Sequence, residues 1–199
     1  MIDRIITLFR HWRDVRTSLG TLSRIWGGDS SIDMVGGLSQ QEIDALVSWL
    51  PETGVFVEVG TLFGLTAKAI AGAKPGLKVV AVDNFSWNPF GLPPKAHEAF
   101  TRRILDREIR RGQIEILNAS SEEYRERVVA ESAPDAIFFD SQHQYEAVKD
   151  EIVWAKGIGV PLISGHDYGN PNPRFGVTRA VDEVFGANAV DVVGMCWRA

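Results

Sequence analysis

Short runs of β-branched, aliphatic and aromatic residues alternate along the chain with longer segments whose apolar residues recur every three or four positions. The short runs are typical of strands buried on both faces, and the longer segments are typical of helices that pack on one side. Their alternation predicts β-α-β units and a mainly parallel sheet. The expected strands are residues 55–59, 78–82, 114–117, 136–139 and 160–163.

Local signals mark the ends of two helices. The stretch from Ser39 to Glu42 has the pattern of a capping box, so a helix is expected to begin there and to end at Pro51. A last helix is expected over residues 177–185, because Gly186 follows it. The chain is therefore expected to fold as one α/β domain.

Residues 1–36 are expected to form a helical extension of that domain, with arginines between apolar residues at helical spacing. Such a helix packs on its own domain or on a second subunit, so a homodimer contact and a lid over the substrate are both compatible with it. Attachment to a membrane surface is disfavoured, because Asp3 and Asp14 dilute the basic face.

Composition narrows the function classes. The 199 residues carry a net charge of −5, which disfavours a general nucleic-acid binder. The single cysteine, Cys196, excludes a disulfide within the chain and fits a reducing compartment. No apolar run reaches the length of a bilayer span, and the N-terminal arginines interrupt any signal-peptide core. We therefore expect a cytoplasmic protein whose partner is a small molecule.

Ligands of open parallel sheets bind beyond the carboxyl ends of the strands, and the first such segment is rich in glycine. It runs from Glu58 to Thr66 and contains Gly60 and Gly64. Glycines let the backbone approach a ligand closely, and the helix that begins near Thr66 favours an anionic group. The third glycine of the dinucleotide fingerprint is missing, so the glycines alone fit a tight turn as well as a cofactor loop.

The second strand ends in Asp83, where an α/β fold places the carboxylate that accepts both ribose hydroxyls of a cofactor. The glycine loop and this acid together favour a cofactor site, because two matched features rarely coincide by chance.

With these residues the sequence resembles the class I S-adenosylmethionine-dependent methyltransferases over residues 55–185. The resemblance is to the branch of catechol O-methyltransferase and bacterial small-molecule and sugar methyltransferases. It implies a Rossmann-like fold, with helices on both faces of the sheet, and makes residues 37–199 the S-adenosylmethionine-binding domain. The cofactor-binding residues that it implies are Glu58, Gly60, Thr61, Gly64, Thr66, Asp83, Asn84, Ala119, Ser120 and Asp140.

The segment that the resemblance assigns to adenine binding departs from the family at one residue, and its serine has an alternative role. The adenine turn is Asn118-Ala119-Ser120, where asparagine stands in place of the family's glycine. Ser120 or Ser121 also suits the N-terminal cap of the next helix.

The resemblance places the reaction centre after the fourth strand. Asp140 would lie beside the transferred methyl group, and His143 stands where catechol-type enzymes carry a lysine general base. An imidazole suits that task, because its ordinary pKa of about 6.5 lets it accept a hydroxyl proton at neutral pH.

After the fifth strand the chain has His166 and Asp167, where related metal-dependent enzymes have an acid and an amide. Magnesium prefers oxygen ligands, so Asp140 and Asp167 are its candidate ligands and His166 is a poor one. Two alternatives stay open: a magnesium site, and a metal-free site in which His166 joins the catalytic residues as a base or hydrogen-bonding group.

Other features bear on the rim of the site. Residues 84–94 and 170–175 are loops with aromatic residues that suit a cover over the pocket. The family usually ends in an antiparallel pair of strands. The residues after Gly186 allow either a single strand or such a pair, joined by a very tight turn near Gly194.

These observations predict methyl transfer from S-adenosylmethionine to a small-molecule hydroxyl. One alternative is a nicotinamide-dependent oxidoreductase, which the missing glycine disfavours. Another is a hydroxylase-like or non-catalytic relative that keeps the cofactor pocket. A purely structural protein has no reason to place Asp83, Asp140, His143, His166 and Asp167 at successive strand ends.

Overall fold

The structure is a computed structural model that describes residues 37–87 and 92–199. The helical extension predicted for residues 1–36 lies outside the described residues, so the extension and its dimer contact stay predictions. The strands are β1 (Thr53–Val59), β2 (Gly76–Asp83), β3 (Ile114–Asn118), β4 (Ala136–Phe139), β5 (Leu162–Gly165), β6 (Asp191–Val193) and β7 (Cys196–Arg198).

Among the helices, one precedes β1 and the others follow strands, as the sequence predicts. They are α1 (Gln40–Trp49), α2 (Leu65–Ala73), α3 (Pro94–Ile104), α4 (Asp106–Arg110), α5 (Ser121–Arg127), α6 (Tyr145–Gly157) and α7 (Val177–Phe185), with a 3-10 turn at Ala130–Ser132. Among the described residues, no helix is long and apolar enough to cross a membrane.

All seven strands form one sheet in the order β3-β2-β1-β4-β5-β7-β6. The strands β1 to β5 are parallel, and β7 runs antiparallel to both β5 and β6. The order changes direction between β1 and β4, because β2 and β3 extend to one side of β1 and β4 lies on the other. A crevice at such a point is where ligands bind in open α/β sheets.

Alternate residues of the central strands pack on opposite faces of the sheet. Phe56 and Phe138 belong to a core beneath α1, α2 and α3. Val57 and Ile137, each one position away, belong to a second core beneath α5, α6 and α7. Helices therefore cover both faces, which confirms the predicted Rossmann-like architecture.

The fifth strand is displaced from its prediction, because it begins at Leu162 and ends at Gly165. Val160 is buried but belongs to the turn after α6, where its N–H donates to the carbonyl oxygen of Ala155 at 3.0 Å. Ser164 is a buried strand residue, and its hydroxyl donates a hydrogen bond to the carbonyl oxygen of Ile137 at 2.8 Å. Because a turn residue is apolar and a strand residue is polar, the hydrophobic run in the sequence begins and ends two positions before the strand itself.

The chain ends in a hairpin, which resolves the two alternatives for its last residues. Val193 pairs with Cys196, so Gly194 and Met195 form a two-residue turn. Gly194 has a φ of +62°, a left-handed conformation of the kind that such tight turns require. Of the pair, β7 lies inside the sheet beside β5 and buries Trp197, whereas β6 forms the edge.

Replacing Ser39 with alanine is expected to lower the free energy of unfolding by ~1 kcal/mol, because Ser39 caps α1 in a reciprocal capping box with Glu42. Ser48→Ala is the matched control, since the exposed Ser48 hydroxyl bonds only the carbonyl oxygen of Ala45 within its own helix. Urea denaturation measures both variants. An equal effect of the two substitutions would contradict the role of the cap.

Candidate active site

A cavity of about 530 Å³ opens at the carboxyl ends of the parallel strands. The strand register creates it, because Val59 lies opposite both Val82 and Phe139, and Phe139 lies opposite Gly165. The residues that follow these strands are thereby brought to one edge of the sheet. Of the predicted site residues, those that line the cavity are Gly60, Asp83, Asn84, Ala119, Ser120, Asp140, His143, His166 and Asp167.

The remaining predicted residues lie around the first turn of α2. Glu58, Thr61 and Thr66 border a small adjoining pocket of about 20 Å³, together with Gly60 and Asp140. Gly64 lines neither cavity. It begins α2 with a φ of +76°, and a Cβ there would lie 2.5 Å from a methyl carbon of Leu105. Gly64 therefore serves the turn and its packing, while Gly60 faces the cavity.

Gly60 lets two strand-end loops approach each other closely. A Cβ at this position would lie 2.3 Å from the carbonyl oxygen of Asp140, and Gly60 has a φ of +97°. The backbone on either side is fixed, because the N–H of Gly60 donates to the Val82 carbonyl and the N–H of Asp140 donates to the Val59 carbonyl, both at 2.8 Å. Only glycine fits here without displacing the Asp140 backbone.

Asp83 is held by backbone amides at the end of β2. Its Oδ2 accepts the N–H of Leu62 at 2.7 Å, and its Oδ1 accepts the N–H of Phe85 at 2.6 Å. Burial raises the pKa of Asp83, although these amide donors oppose the shift. Each carboxylate oxygen keeps a second lone pair, so the fixed carboxylate still has acceptor capacity toward the cavity.

Ser120 combines both roles that the sequence suggests for it. Its hydroxyl caps α5 by accepting the N–H of Glu123 at 3.1 Å, and the residue also lines the cavity beside Ala119. The cap thus holds the turn after β3 in place at the cavity wall.

Two carboxyl groups of the site, the buried Glu58 and the cavity-lining Asp140, have strongly raised pKa values. Burial raises the pKa of Glu58 to about 8, with the charges of Asp140 and Asp83 acting in the same direction, even though the Thr61 hydroxyl donates to its carboxylate. Burial likewise raises the pKa of Asp140 to about 8, and Asp167 and Glu42 add to the shift, while His166 opposes it. The site therefore retains protons at neutral pH that isolated carboxyl groups would lose.

His143 is oriented by a carboxylate and an aromatic ring. Its Nδ1 lies 3.2 Å from Oδ2 of Asp167, and its ring stacks on Phe175 with the centroids 4.3 Å apart. Burial lowers the pKa of His143, although the charge of Asp167 opposes that shift. Asp167 itself adopts a left-handed conformation with a φ of +64°, a strained state for a non-glycine residue of the kind that clusters at functional sites.

His166 lies among three carboxylates. Its Nε2 is 3.3 Å from Oε1 of Glu42, and its Nδ1 is 3.7 Å from Oδ1 of both Asp140 and Asp167. Burial opposes the charged imidazolium, but the close contact with Asp167 and the charges of Asp140, Asp167 and Glu42 raise the pKa of His166 to about 9.

These donors do not fit the magnesium ion considered from the sequence. Mg²⁺ requires a nearly ideal octahedron of oxygen ligands, and here an imidazole lies between Asp140 and Asp167, the two candidate carboxylates. The geometry therefore disfavours magnesium, whereas Asp140, His166 and Asp167 each offer a ligand atom within 4.8 Å of one another, a set of donors that suits metals which accept an imidazole.

Comparison with solved structures identifies the fold. The chain is similar to cofactor-bound Rv0187 from MTB (TM-score 0.61, 17% identity, covering 92% of this chain and 88% of that one). It is also similar to an O-methyltransferase from Bacillus cereus in complex with SAH (TM-score 0.60, 16% identity, 92% and 89% covered). A third neighbour is the O-methyltransferase TomG from Streptomyces achromogenes in complex with SAM (TM-score 0.57, 16% identity, 89% and 86% covered).

The chain has the class I methyltransferase fold. No protein-family model matches it, and no curated protein sequence matches it. Because the structural neighbours share so little sequence identity with the chain, they establish the methyltransferase fold and no finer property.

Within this methyltransferase fold, Glu42 is a site residue that sequence reasoning misses. Glu42 is recognisable in the sequence only as the partner of Ser39 in the capping box of α1, yet its side chain also reaches the cavity and His166. Nothing in a local sequence pattern indicates that α1 contacts the strand-five loop.

The two loops expected to cover the pocket each contribute an aromatic residue to its wall. Phe175 supports His143, and Trp87 lines the cavity with 54% of its surface exposed. Residues 88–91 of the first loop lie outside the described residues.

Gly60→Ala is expected to destabilise the protein by at least ~2 kcal/mol, because it adds left-handed backbone strain and a clash with the Asp140 carbonyl. Gly72→Ala in α2 is the control, since a Cβ there meets nothing within 4 Å and alanine favours a helix. Chemical denaturation distinguishes the two. Equal stability of Gly60→Ala and Gly72→Ala would contradict the close approach of the Gly60 and Asp140 backbones.

Proposed function

We propose that the protein transfers a methyl group from S-adenosylmethionine to a hydroxyl oxygen of a small molecule. The proposal rests on one observation. Asp83, Asp140 and His143 line a single cavity, at the place where the strand order changes direction between β1 and β4. A volume of about 530 Å³ is in the range of small-molecule sites. The SAM and SAH complexes of two structural neighbours with this fold support the choice of cofactor.

In this proposal the cofactor spans the cavity along the strand ends. Asp83 accepts the ribose hydroxyls with the lone pairs that its backbone donors leave available. Ala119 and Ser120 border the adenine end, while Gly60 and the start of α2 border the methionine end. The backbone amides at the first turn of a helix favour the methionine carboxylate there.

His143 is the general base. Asp167 engages its Nδ1, which fixes the tautomer with the lone pair on Nε2, as a carboxylate does for the histidine of a catalytic triad. Because burial lowers its pKa, the imidazole is neutral at neutral pH and accepts the acceptor's hydroxyl proton.

S-adenosylmethionine supplies a methyl group on a positively charged sulfur. Bound in this cavity, S-adenosylmethionine would supply the methyl group and its sulfur would keep the C–S electron pair, while Nε2 of His143 would accept the proton of the attacking hydroxyl. The protein contributes mainly by holding the oxygen in line with the methyl group, since such positioning supplies a large part of the barrier reduction.

Asp83→Asn is expected to weaken the binding of S-adenosylhomocysteine at least about tenfold, because the ribose hydroxyls lose charge-assisted hydrogen bonds. Asp150→Asn, an exposed acid on α6, is the charge-matched control and should bind as the wild type does. Isothermal calorimetry measures the affinities. An absence of binding by the wild-type protein, or binding of NAD⁺ instead, would contradict the proposal.

His143→Gln is expected to lower kcat by about 10² to 10⁴-fold while the S-adenosylhomocysteine affinity stays unchanged, since only proton transfer is lost. Radiolabelled S-adenosylmethionine tested with a panel of phenols, catechols and nucleotide sugars provides the assay. In the wild type, kcat should rise with pH through a midpoint below the ordinary histidine pKa of 6.5 and then level off, because only the neutral base is active. A pH-independent rate, or full activity of the variant, would exclude His143 as the base.

A further inference from the structure

We propose that Glu151, a buried acid on α6, makes the cofactor site specific for a purine with a 6-amino group by fixing the direction of the Ser141 hydroxyl. Glu151 is not among the residues that line the cavity, so it acts through Ser141 as a positioning residue. The inference rests on the proposed binding of S-adenosylmethionine. It follows from a cluster of polar groups behind the cavity wall that the proposed methyl transfer does not use.

Glu151 is the centre of this cluster. It is 1% exposed and lies on the face of α6 that also buries Val148 and Ile152. Its Oε1 accepts the hydroxyl of Ser141 at 3.1 Å, whereas its buried Oε2 has no hydrogen-bond partner among the described residues. A carboxyl group at such a position destabilises the fold, because a buried polar atom without a partner loses the hydrogen bonds of water.

Two further polar groups of the cluster come from α5. Ser121 is buried, and its hydroxyl has no hydrogen-bond partner in the described part of the chain; the same is true of Nε of Arg125. Burial raises the pKa of Glu151 to about 7, although the nearby hydroxyls of Ser121 and Ser141 oppose the shift, as does the charge of Arg125. Buried polar atoms are normally paired, so unpaired atoms beside a cavity indicate a place for a polar group of a ligand.

The cluster borders the end of the cavity that the proposed function assigns to adenine. Ser121 and Ser141 both line the cavity. Ser121 directly follows Ala119 and Ser120, the residues at the adenine end. Because Ser121 and Ser141 both lie near Glu151, the strand-four loop reaches the same end of the cavity as the start of α5.

The hydrogen bond to Glu151 determines what Ser141 offers a ligand. A serine hydroxyl has one hydrogen and two lone pairs, and the hydrogen of Ser141 is directed at Oε1 of Glu151. Only the lone pairs remain, so Ser141 can accept a hydrogen bond from the 6-amino group of adenine. The 6-oxo group of hypoxanthine is itself an acceptor, and it would leave two acceptors facing each other without a hydrogen between them.

The test compares two ligands that differ at this one position. Isothermal calorimetry measures S-adenosylhomocysteine and its 6-oxo counterpart, S-inosylhomocysteine, and we expect the wild type to prefer the 6-amino ligand at least about tenfold. Glu151→Met keeps the length of the buried side chain but removes the acceptor, which frees the Ser141 hydroxyl to donate. The preference should therefore fall to about twofold or less, mainly because the 6-oxo ligand binds more tightly.

Three further variants complete the experiment. Ser141→Ala should also lose the preference, and adding Glu151→Met to it should change the ratio of affinities no further, because the two residues act as one unit. Glu146→Met, at an exposed position on the same helix, is the control and should keep the wild-type ratio. A merely structural role of Glu151 would weaken both ligands equally and leave their ratio unchanged.

Equal binding of the two ligands by the wild type, or a preference that persists in Glu151→Met, would overturn the inference while leaving the proposed function intact. If Glu151→Met does not fold, the wild-type ratio and Ser141→Ala still decide it, since Ser141 is restricted to accepting only through Glu151. A wild type that binds neither ligand would overturn the proposed function, and this inference with it.

Discussion

The site depends on the parallel register of β1, β2 and β4. Val59 lies opposite Val82 on one side and Phe139 on the other, so the chain leaves all three strands at the same level. The backbones then approach so closely that Gly60 has no room for a side chain beside Asp140. A slip of one residue would turn each side chain to the other face of the sheet and would separate the polar groups that follow the strands.

Burial of several neighbouring carboxyl groups is the second constraint that organises the site. Glu58, Asp83, Asp140 and Asp167 lie close enough to influence one another, and burial works against their ionisation. Backbone amides stabilise Asp83, the Thr61 hydroxyl donates to Glu58, and His166 lies against Asp140 and Asp167. Each acid thus has a compensating donor from a different part of the chain, which links the chemistry of the site to the integrity of the fold.

The sequence predicts the strand-helix alternation and the strand-end residues because both depend on local patterns. It misplaces β5, since burial of Val160 in a turn and of Ser164 in a strand is decided by tertiary contacts. It also cannot reveal that Glu42 reaches His166, because those residues are brought together only when α1 packs near the C-terminal hairpin. The Asp167–His143 pair likewise depends on the left-handed turn at Asp167, which no residue pattern marks.

A crystal structure of the protein with S-adenosylhomocysteine would test the central claim most directly. The account predicts the ribose hydroxyls at hydrogen-bond distance from the Asp83 carboxylate, and the sulfur on the side of the cavity that Asp140 and His143 line. A ligand bound away from Asp83, or with its sulfur remote from His143, would contradict it.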